Sequence, residues 1–177
     1  MSPLGVYGRS KEAGERAVRE CCPQHVIIRT AWVYGPDGAN FLKTILRLAG
    51  QRPELAIVGD QYGNPTSTED LAVAIYAAAR RAVSGADCWG TFHFAGRGDA
   101  TWYDFASEIV AAYAKVTGRS CTVRRISTSD YPTPARRPAN SRLDSDAFAS
   151  RFGVTARDWR DVVGPTVAAV LAKQAPP

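Results

Sequence analysis

The sequence predicts an α/β protein in which short buried strands alternate with amphipathic helices. A β-branched run at residues 25–30 lies between two helical patterns, and short apolar runs recur at Thr91–Phe94 and Thr122–Ile126 with helical patterns between them. This alternation is typical of a layered fold in which at least part of the sheet is parallel. The 177 residues are enough for one compact domain.

The first third of the chain contains two predicted helices and two predicted strands. A helix is predicted from Tyr7 to Arg19, because alanine and valine alternate there with charged residues at helical spacing, and Pro23 ends it. The β-branched residues 25–30 form the first predicted strand. Asn40 is predicted to cap a second helix whose apolar positions lie mainly on one side. Leu55–Val58 is the next predicted strand.

Two longer helices follow in the middle of the chain. Thr68 is predicted to cap an alanine-rich helix that ends near Ala82, because acidic residues in its first turn favour the positive end of the helix dipole. Thr91–Phe94 is a predicted strand. Thr101 is predicted to open a helix that continues to about Val116.

The last third is predicted to contain one strand and two short helices. Thr122–Ile126 is the strand, and a proline-rich loop occupies Pro132 to Pro138. Short helices are predicted at 145–151 and 158–172.

Composition excludes several classes of protein. The 22 basic and 17 acidic residues give a net charge of +5, and the arginines are scattered rather than arranged in a basic stripe with aromatics. We therefore expect no nucleic-acid partner, whereas an anionic small molecule fits the charge. No apolar run approaches the ~20 residues of a membrane helix, and the start of the chain does not read as a signal peptide. A cytoplasmic location without membrane contact is expected.

The cysteines and histidines predict neither a disulfide framework nor a metal site. The four cysteines include no CxxC pair, and the two histidines lie far apart in sequence. Reduced, partly buried thiols are the expectation.

The strongest local signal for chemistry is the pair Tyr7 and Lys11, four residues apart at the start of the first predicted helix. That spacing puts both side chains on one face. A lysine ammonium near a phenol favours the phenolate, so such a tyrosine can exchange a proton with a carbonyl or alcohol oxygen. Lysine can also donate hydrogen bonds to ribose hydroxyls. The alternative interpretation is an exposed pair without chemistry.

Several further segments follow this pair in a specific order. They are Gly14-Glu15, the strand running into Arg29–Gly35, the helix start Asn40-Phe41, the loop Gly59–Thr66, the helix start Thr101–Ala106 and the loop Tyr131–Ser141. Together with the YxxSK helix, they resemble the extended short-chain dehydrogenase family, and within it the family of dTDP-4-dehydrorhamnose reductases. The resemblance covers nearly the whole chain.

The resemblance implies a partial Rossmann-like sheet of the short-chain dehydrogenase type with a small α/β substrate-binding region. Residues 1–60 are expected to be the remnant of the dinucleotide-binding fold, and residues 61–177 the interleaved substrate-binding region, so that both form one compact unit. The family's cofactor is NADPH. Its glycine-rich GxxGxxG turn, which receives the cofactor pyrophosphate, does not occur in this sequence, and we expect the amino-terminal half to be missing.

The resemblance also implies roles for individual residues. Tyr7 matches the proton donor to the C4 ketone oxygen, and Lys11 matches the lysine that tunes this tyrosine and holds the nicotinamide ribose. Both are therefore predicted catalytic and cofactor-binding residues. Trp32 matches an aromatic residue that packs against the deoxysugar, although a core tryptophan is an equal alternative. Arg137 and Asn140 are predicted substrate-binding residues.

Arg136 and Ser141 belong to the same loop, which is expected to approach the substrate or to be purely structural. Arginine clusters suit diphosphate groups because their donors are forked and permanently charged. Glu69 lines up with a carboxylate that some relatives use for magnesium, but an acid at a helix start is the stronger interpretation. No metal is predicted.

Three functions stay open from the sequence. The first is NADPH-dependent reduction of the C4 ketone of dTDP-4-dehydro-L-rhamnose to dTDP-L-rhamnose, which supplies cell-surface polysaccharide synthesis. The second is a sugar-nucleotide-binding module without redox activity. The third is a related epimerase or dehydratase, against which the loops at Gly59–Thr66 and Tyr131–Ser141 argue. The expected partners are the nucleotide-sugar substrate and either a second copy of the chain or a companion amino-terminal chain.

Overall fold

The computed structural model describes residues 5–133 and 137–174. Its helices are α1 (Val6–Cys21), α2 (Phe41–Ala49), α3 (Thr68–Val83), α4 (Trp102–Thr117), α5 (Asp146–Phe152) and α6 (Trp159–Gln174). Its strands are β1 (Val26–Arg29), β2 (Val33–Tyr34), β3 (Glu54–Val58), β4 (Tyr62–Gly63), β5 (Thr66–Ser67), β6 (Gly90–His93), β7 (Ala100–Thr101) and β8 (Thr122–Ile126). A short 3₁₀ helix covers Thr128–Asp130.

Parallel pairing dominates the strands in the described part of the chain. Strand β1 pairs with β6, β2 with β5, and β3 with β8, all in parallel, whereas β4 and β7 pair in antiparallel fashion. Parallel neighbours require crossover connections, and helices supply them here. The predicted α/β class with a partly parallel sheet is confirmed.

The larger hydrophobic core lies between helices α2, α4 and α6 and the β3–β8 pair. Phe105 of α4 is fully buried at its centre, with ring centroids 5.1 Å from Tyr34, 5.5 Å from Phe41 and 5.7 Å from Trp159. The Tyr34 hydroxyl donates to the Trp159 carbonyl oxygen at 3.2 Å. Burial, followed by the charge of Asp70, raises the pKa of the Tyr34 phenol, so Tyr34 acts as a neutral structural donor.

A second core fills the space between the β1–β6 pair, α3 and α5. Its rings belong to Phe92, Phe94, Phe148 and Phe152, with Phe94 and Phe148 fully buried. Both cores draw side chains from before and after residue 60. The division into functional halves at 1–60 and 61–177 stays a prediction.

Helix starts follow the local chemistry of the sequence, with one correction. Asn40 caps α2 by accepting from the Lys43 N–H at 3.1 Å, and Thr101 opens α4 through a reciprocal capping box with Asp104. The prediction that Thr68 caps α3 is wrong. The Ser67 hydroxyl accepts from the Asp70 N–H at 3.0 Å instead, so the helix begins one residue earlier. No helix in the described ranges is long and apolar enough to span a bilayer.

Candidate active site

Helix α1 presents Tyr7 and Lys11 on one exposed face. The Tyr7 side chain is largely open to solvent, and the Lys11 ammonium lies 5.5 Å from the centroid of its ring. The Ser10 hydroxyl donates to the Tyr7 carbonyl oxygen at 2.8 Å, and no residue of α1 is buried against the rest of the chain. The predicted pairing of these two side chains is therefore present, and both can be reached by a ligand.

An ion pair between Glu15 and Arg29 ties α1 to strand β1. The Arg29 Nε atom donates to both carboxylate oxygens, at 2.8 and 3.1 Å, and Arg19 adds a bond at 3.3 Å from the same helix. The hydrogen bonds from Arg29 lower the pKa of the Glu15 carboxyl, and the same bonds raise the pKa of Arg29. The sequence contained both residues within recognised motifs, but only the fold shows that they hold the helix carrying Tyr7.

This ion pair predicts a pH-dependent loss of stability in a Glu15→Gln variant. Because the folded-state pKa of Glu15 is lowered, its contribution is present above the unfolded value of about 4.3 and is lost as the pH falls through the folded value. We expect the variant to lose about 1–2 kcal/mol of unfolding free energy near neutral pH and none in acid. Urea unfolding across this pH range measures the difference.

Glu54→Gln is the matched control, because Glu54 pairs with Arg124 at 3.1 Å but both side chains are more than half exposed. Exposed pairs contribute little to stability. A Glu15→Gln loss that does not change with pH contradicts the assigned charge interaction.

Trp32 lies between β1 and β2, directly before Val33, in an unusual backbone conformation. Its φ angle is +46°, and no other non-glycine residue in the described ranges has a positive φ. The indole stacks on Trp102 with ring centroids 3.5 Å apart and an interplanar angle of 9°. Gly63 lies against the same indole, where a Cβ atom would overlap ring atoms. The sequence predicted Trp32 as a site residue and placed Trp102 and Gly63 in family-like segments, but it did not predict their contacts with Trp32, from which they are separated by 70 and 31 residues.

The loop that carries Asn140 is bonded to β4, next to this tryptophan. The Tyr62 N–H donates to the Ala139 carbonyl oxygen, and the Ser141 N–H donates to the Tyr62 carbonyl oxygen, both at 2.8 Å. The Asn140 Oδ1 atom accepts from the Arg142 backbone N–H at 3.1 Å and from its Nε at 3.0 Å. Asn140 therefore pairs with Tyr62, and the next residue of β4, Gly63, contacts Trp32.

Of the two arginines predicted for this loop, only Arg137 lies within the described residues. Arg137 is exposed and forms no ion pair with an acidic side chain in residues 5–133 or 137–174. Arg136 lies outside the described residues. A role for Arg137 at the substrate stays a prediction.

Asn64 fastens this loop to its neighbours from a buried position. Its Nδ2 donates to the Gly98 carbonyl oxygen at 3.1 Å and to Asp99 Oδ1 at 3.3 Å. Its Oδ1 accepts from the Leu143 N–H at 2.9 Å. Three chain segments therefore meet at one amide group.

We expect Asn64→Leu to lower the unfolding free energy by about 2–3 kcal/mol, because buried backbone groups lose their partners. Urea denaturation measures this, and hydrogen exchange at the Ser141 amide should become faster. Gln51→Leu, at an exposed position, is the control for a change from amide to leucine. Unchanged exchange at Ser141 contradicts a role for Asn64 in fastening the loop.

Comparison with known proteins identifies the family of this chain. The sequence profile of the RmlD substrate-binding domain matches residues 1–172. The chain belongs to this family. It is 47% identical to a dTDP-4-dehydrorhamnose reductase of Sinorhizobium fredii over 96% of this chain and 58% of the relative. The corresponding Escherichia coli K12 protein is 44% identical over 90% of this chain and 54% of the relative.

Solved structures of RmlD-family relatives agree with the fold. A dTDP-4-dehydrorhamnose reductase from Clostridium acetobutylicum superposes with a TM-score of 0.86 at 36% identity, over 97% of this chain and 57% of that one. The Bacillus anthracis reductase in complex with NADP gives a TM-score of 0.83 at 30% identity, over 94% and 56% of the two chains. The family resemblance and the Rossmann-type fold are confirmed. The chain spans a little over half the length of these relatives.

In this RmlD-family chain, Glu69 is engaged in an ion pair. The Arg157 guanidinium donates to Glu69 Oε2 at 2.9 Å and to Asp70 Oδ1 at 2.8 Å. Among the described residues, no group of three or more metal-ligating side chains is arranged around a common point. The absence of a metal stays a prediction.

The described part of this RmlD-family chain gathers the predicted site residues into two groups. Trp32 contacts Gly63, and Asn140 pairs with the preceding residue, Tyr62. No hydrogen bond, ion pair or ring contact in the described residues joins Tyr7 or Lys11 to them. The two groups are linked through β1, because Glu15 on α1 binds Arg29 and Trp32 follows three residues later.

An open cleft of about 740 Å³ lies away from both groups, beside α2. Lys43, Arg47, Tyr113 and Thr117 line it, and none of the predicted site residues does. The cleft therefore lies apart from the residues predicted to bind a ligand or to act in catalysis.

Proposed function

We propose that this chain is the substrate-binding and proton-donating part of an NADPH-dependent reductase that converts dTDP-4-dehydro-L-rhamnose to dTDP-L-rhamnose for cell-surface polysaccharide. The observation that carries the proposal is the exposed Tyr7 with the Lys11 ammonium 5.5 Å from its ring, in a chain that is 47% identical to a named reductase. The active enzyme includes the amino-terminal half found in the relatives, on the same chain or as a companion chain.

The residues present fit the nicotinamide end of the cofactor. Lys11 offers an ammonium donor that suits ribose hydroxyls. The Thr30 hydroxyl, directly after β1, is buried and has no hydrogen-bond partner among the described residues, so its hydrogen-bonding capacity is left for a group from outside these residues. When bound, NADPH supplies the hydride that reduces the substrate carbonyl.

Tyr7 and Lys11 then act together in the transfer of a proton to the substrate. The Tyr7 hydroxyl donates its proton to the C4 oxygen of the sugar as negative charge develops there. The Lys11 ammonium stabilises the resulting phenolate through its positive charge. Both groups are held on the first turns of α1, whose position is set by the Glu15–Arg29 pair.

The remaining predicted residues bind the sugar nucleotide. Trp32 offers a partly exposed indole against the apolar face of the deoxysugar. The Asn140 amide N–H₂ is the group offered to a substrate hydroxyl or carbonyl, because Arg142 occupies its oxygen. The exposed Arg137 guanidinium suits the diphosphate.

The test supplies the amino-terminal half of a relative to this chain and follows NADPH oxidation with dTDP-4-dehydro-L-rhamnose. Formation of dTDP-L-rhamnose supports the proposal. Binding of the sugar nucleotide without turnover supports a binding module without redox activity instead, and a different sugar product points to an epimerase or dehydratase. A homodimer and a cytoplasmic location stay predictions.

A further inference from the structure

We propose that Trp102 and Gly63 are positioning residues that fix the Trp32 indole in one orientation before any ligand binds. The consequence for affinity rests on the proposed function, in which Trp32 contacts the deoxysugar. The orientation itself rests only on the geometry around the indole.

The backbone of Trp32 occupies a conformation that a bulky residue rarely adopts. Its φ of +46° lies in the left-handed region, which favours glycine. Such a conformation persists only where the surroundings determine it, and it recurs at binding sites. Here the Trp32 carbonyl oxygen accepts from the Thr66 N–H at 3.2 Å, and β2 begins at the next residue and pairs with β5. The chain is therefore held on the carboxyl side of the strained residue.

Trp102 holds the ring of Trp32 from a firmly anchored position. It is the first residue of α4, and its neighbour Thr101 forms the capping box with Asp104 through bonds of 2.9 and 3.1 Å. Phe41 of α2 packs against Trp102 with ring centroids 4.6 Å apart. The Trp32 indole therefore stacks, nearly parallel and at 3.5 Å, on a Trp102 ring that is held by helices α2 and α4.

Gly63 closes the space that a mobile indole would need. A Cβ atom there would overlap Cε2 and Cζ2 of Trp32. The indole can therefore lie in this position only because residue 63 is a glycine. Strand β4 pairs Gly63 with Ala100 of β7, directly before Thr101 and Trp102. The antiparallel pairing of β4 with β7 thus places both Gly63 and Trp102 next to the Trp32 indole.

Fixing the indole in advance benefits binding because its rotational freedom is lost during folding rather than on association. Trp32 and Trp102 both stay partly exposed, so the fixed ring still offers surface to a ligand. We expect Trp102→Leu and Gly63→Ala to weaken dTDP-rhamnose binding by roughly tenfold, the size expected from losing an aromatic stack. Trp102→Phe restores most of the affinity, because a ring again supports Trp32.

The experiment combines a spectroscopic measurement with a binding measurement on the 177-residue chain. Far-ultraviolet circular dichroism records the exciton couplet of two stacked indoles, and dTDP-rhamnose titration records affinity. The wild type should show the couplet, and Gly63→Ala, which keeps both indoles, should abolish or invert it. Trp89→Phe, which removes an indole outside the stack, is the control and should change neither measurement. A cooperative thermal transition confirms that each variant is folded.

The outcomes separate this inference from the proposed function. A Gly63→Ala chain that keeps the wild-type couplet overturns the positioning role of Gly63, and Trp102→Leu with wild-type affinity overturns that of Trp102. If Gly63→Ala abolishes the couplet but the wild-type chain binds no dTDP-rhamnose, the two conclusions separate. The fixed orientation of the indole is then supported, and the assignment of Trp32 to the sugar is overturned.

Discussion

Turnover of the proposed reductase, assembled with an amino-terminal half, should fall by about 10²–10⁴-fold when Tyr7 is replaced by phenylalanine, the range typical of losing a positioned general acid. The variant keeps the aromatic ring beside Lys11 and removes only the hydroxyl that is proposed to donate the proton. Affinity for dTDP-rhamnose should stay close to that of the wild type, because Tyr7 is exposed and packs against no core. Single-turnover oxidation of NADPH, measured alongside a binding titration, separates the two effects.

The chain offers a matched control in Tyr76 on α3. This tyrosine is also exposed, and Arg80, four residues later, lies 5.9 Å from its ring centroid. Tyr76→Phe therefore removes a hydroxyl from the same kind of helical tyrosine–cation pair, but outside the resembled motif. Full turnover in the Tyr7→Phe enzyme, or an equal loss in Tyr76→Phe, contradicts the role assigned to Tyr7.

The longer elements of the fold could be predicted because their signals are local. Thr122–Ile126 was expected as a strand and has those bounds, and the helix expected over Tyr7–Arg19 extends over Val6–Cys21. Strands β2, β4, β5 and β7 have two residues each. Their existence depends on partners far along the chain, and no periodicity develops over two residues.

The same distinction applies to the candidate site. The pairing of Tyr7 with Lys11 could be predicted from spacing, because residues four apart on a helix share a face, whereas the roles predicted for them come from the family resemblance. The stack of Trp32 on Trp102 joins residues 70 positions apart, and the bond between Glu15 and Arg29 joins a helix to a strand. Such contacts depend on tertiary packing. The strained φ of Trp32 has no sequence signature, since the left-handed region is disfavoured for tryptophan.

Truncating Phe105 should produce the largest loss of stability among single substitutions in the larger core. We expect Phe105→Ala to lower the free energy of unfolding by about 3–5 kcal/mol, because it removes a buried ring and leaves a cavity. The ring contacts Tyr34, Phe41 and Trp159, which belong to β2, α2 and α6. These neighbours belong to three separate elements, so closing the cavity completely would require several elements to shift together.

Urea denaturation of the 177-residue chain measures this loss, with Val83→Ala as the control. Val83 is 89% exposed at the end of α3, and its truncation should change the unfolding free energy by less than about 0.5 kcal/mol. Three of the four tryptophans, Trp32, Trp102 and Trp159, lie in or against this core. Tryptophan fluorescence therefore reports mainly on this core, whereas far-ultraviolet circular dichroism reports on helices of both cores. Coincident transitions in the variant mean that the two cores unfold together. An early fluorescence transition means that the α2–α4–α6 core opens while the β1–β6 core stays folded, which contradicts a single cooperative unit.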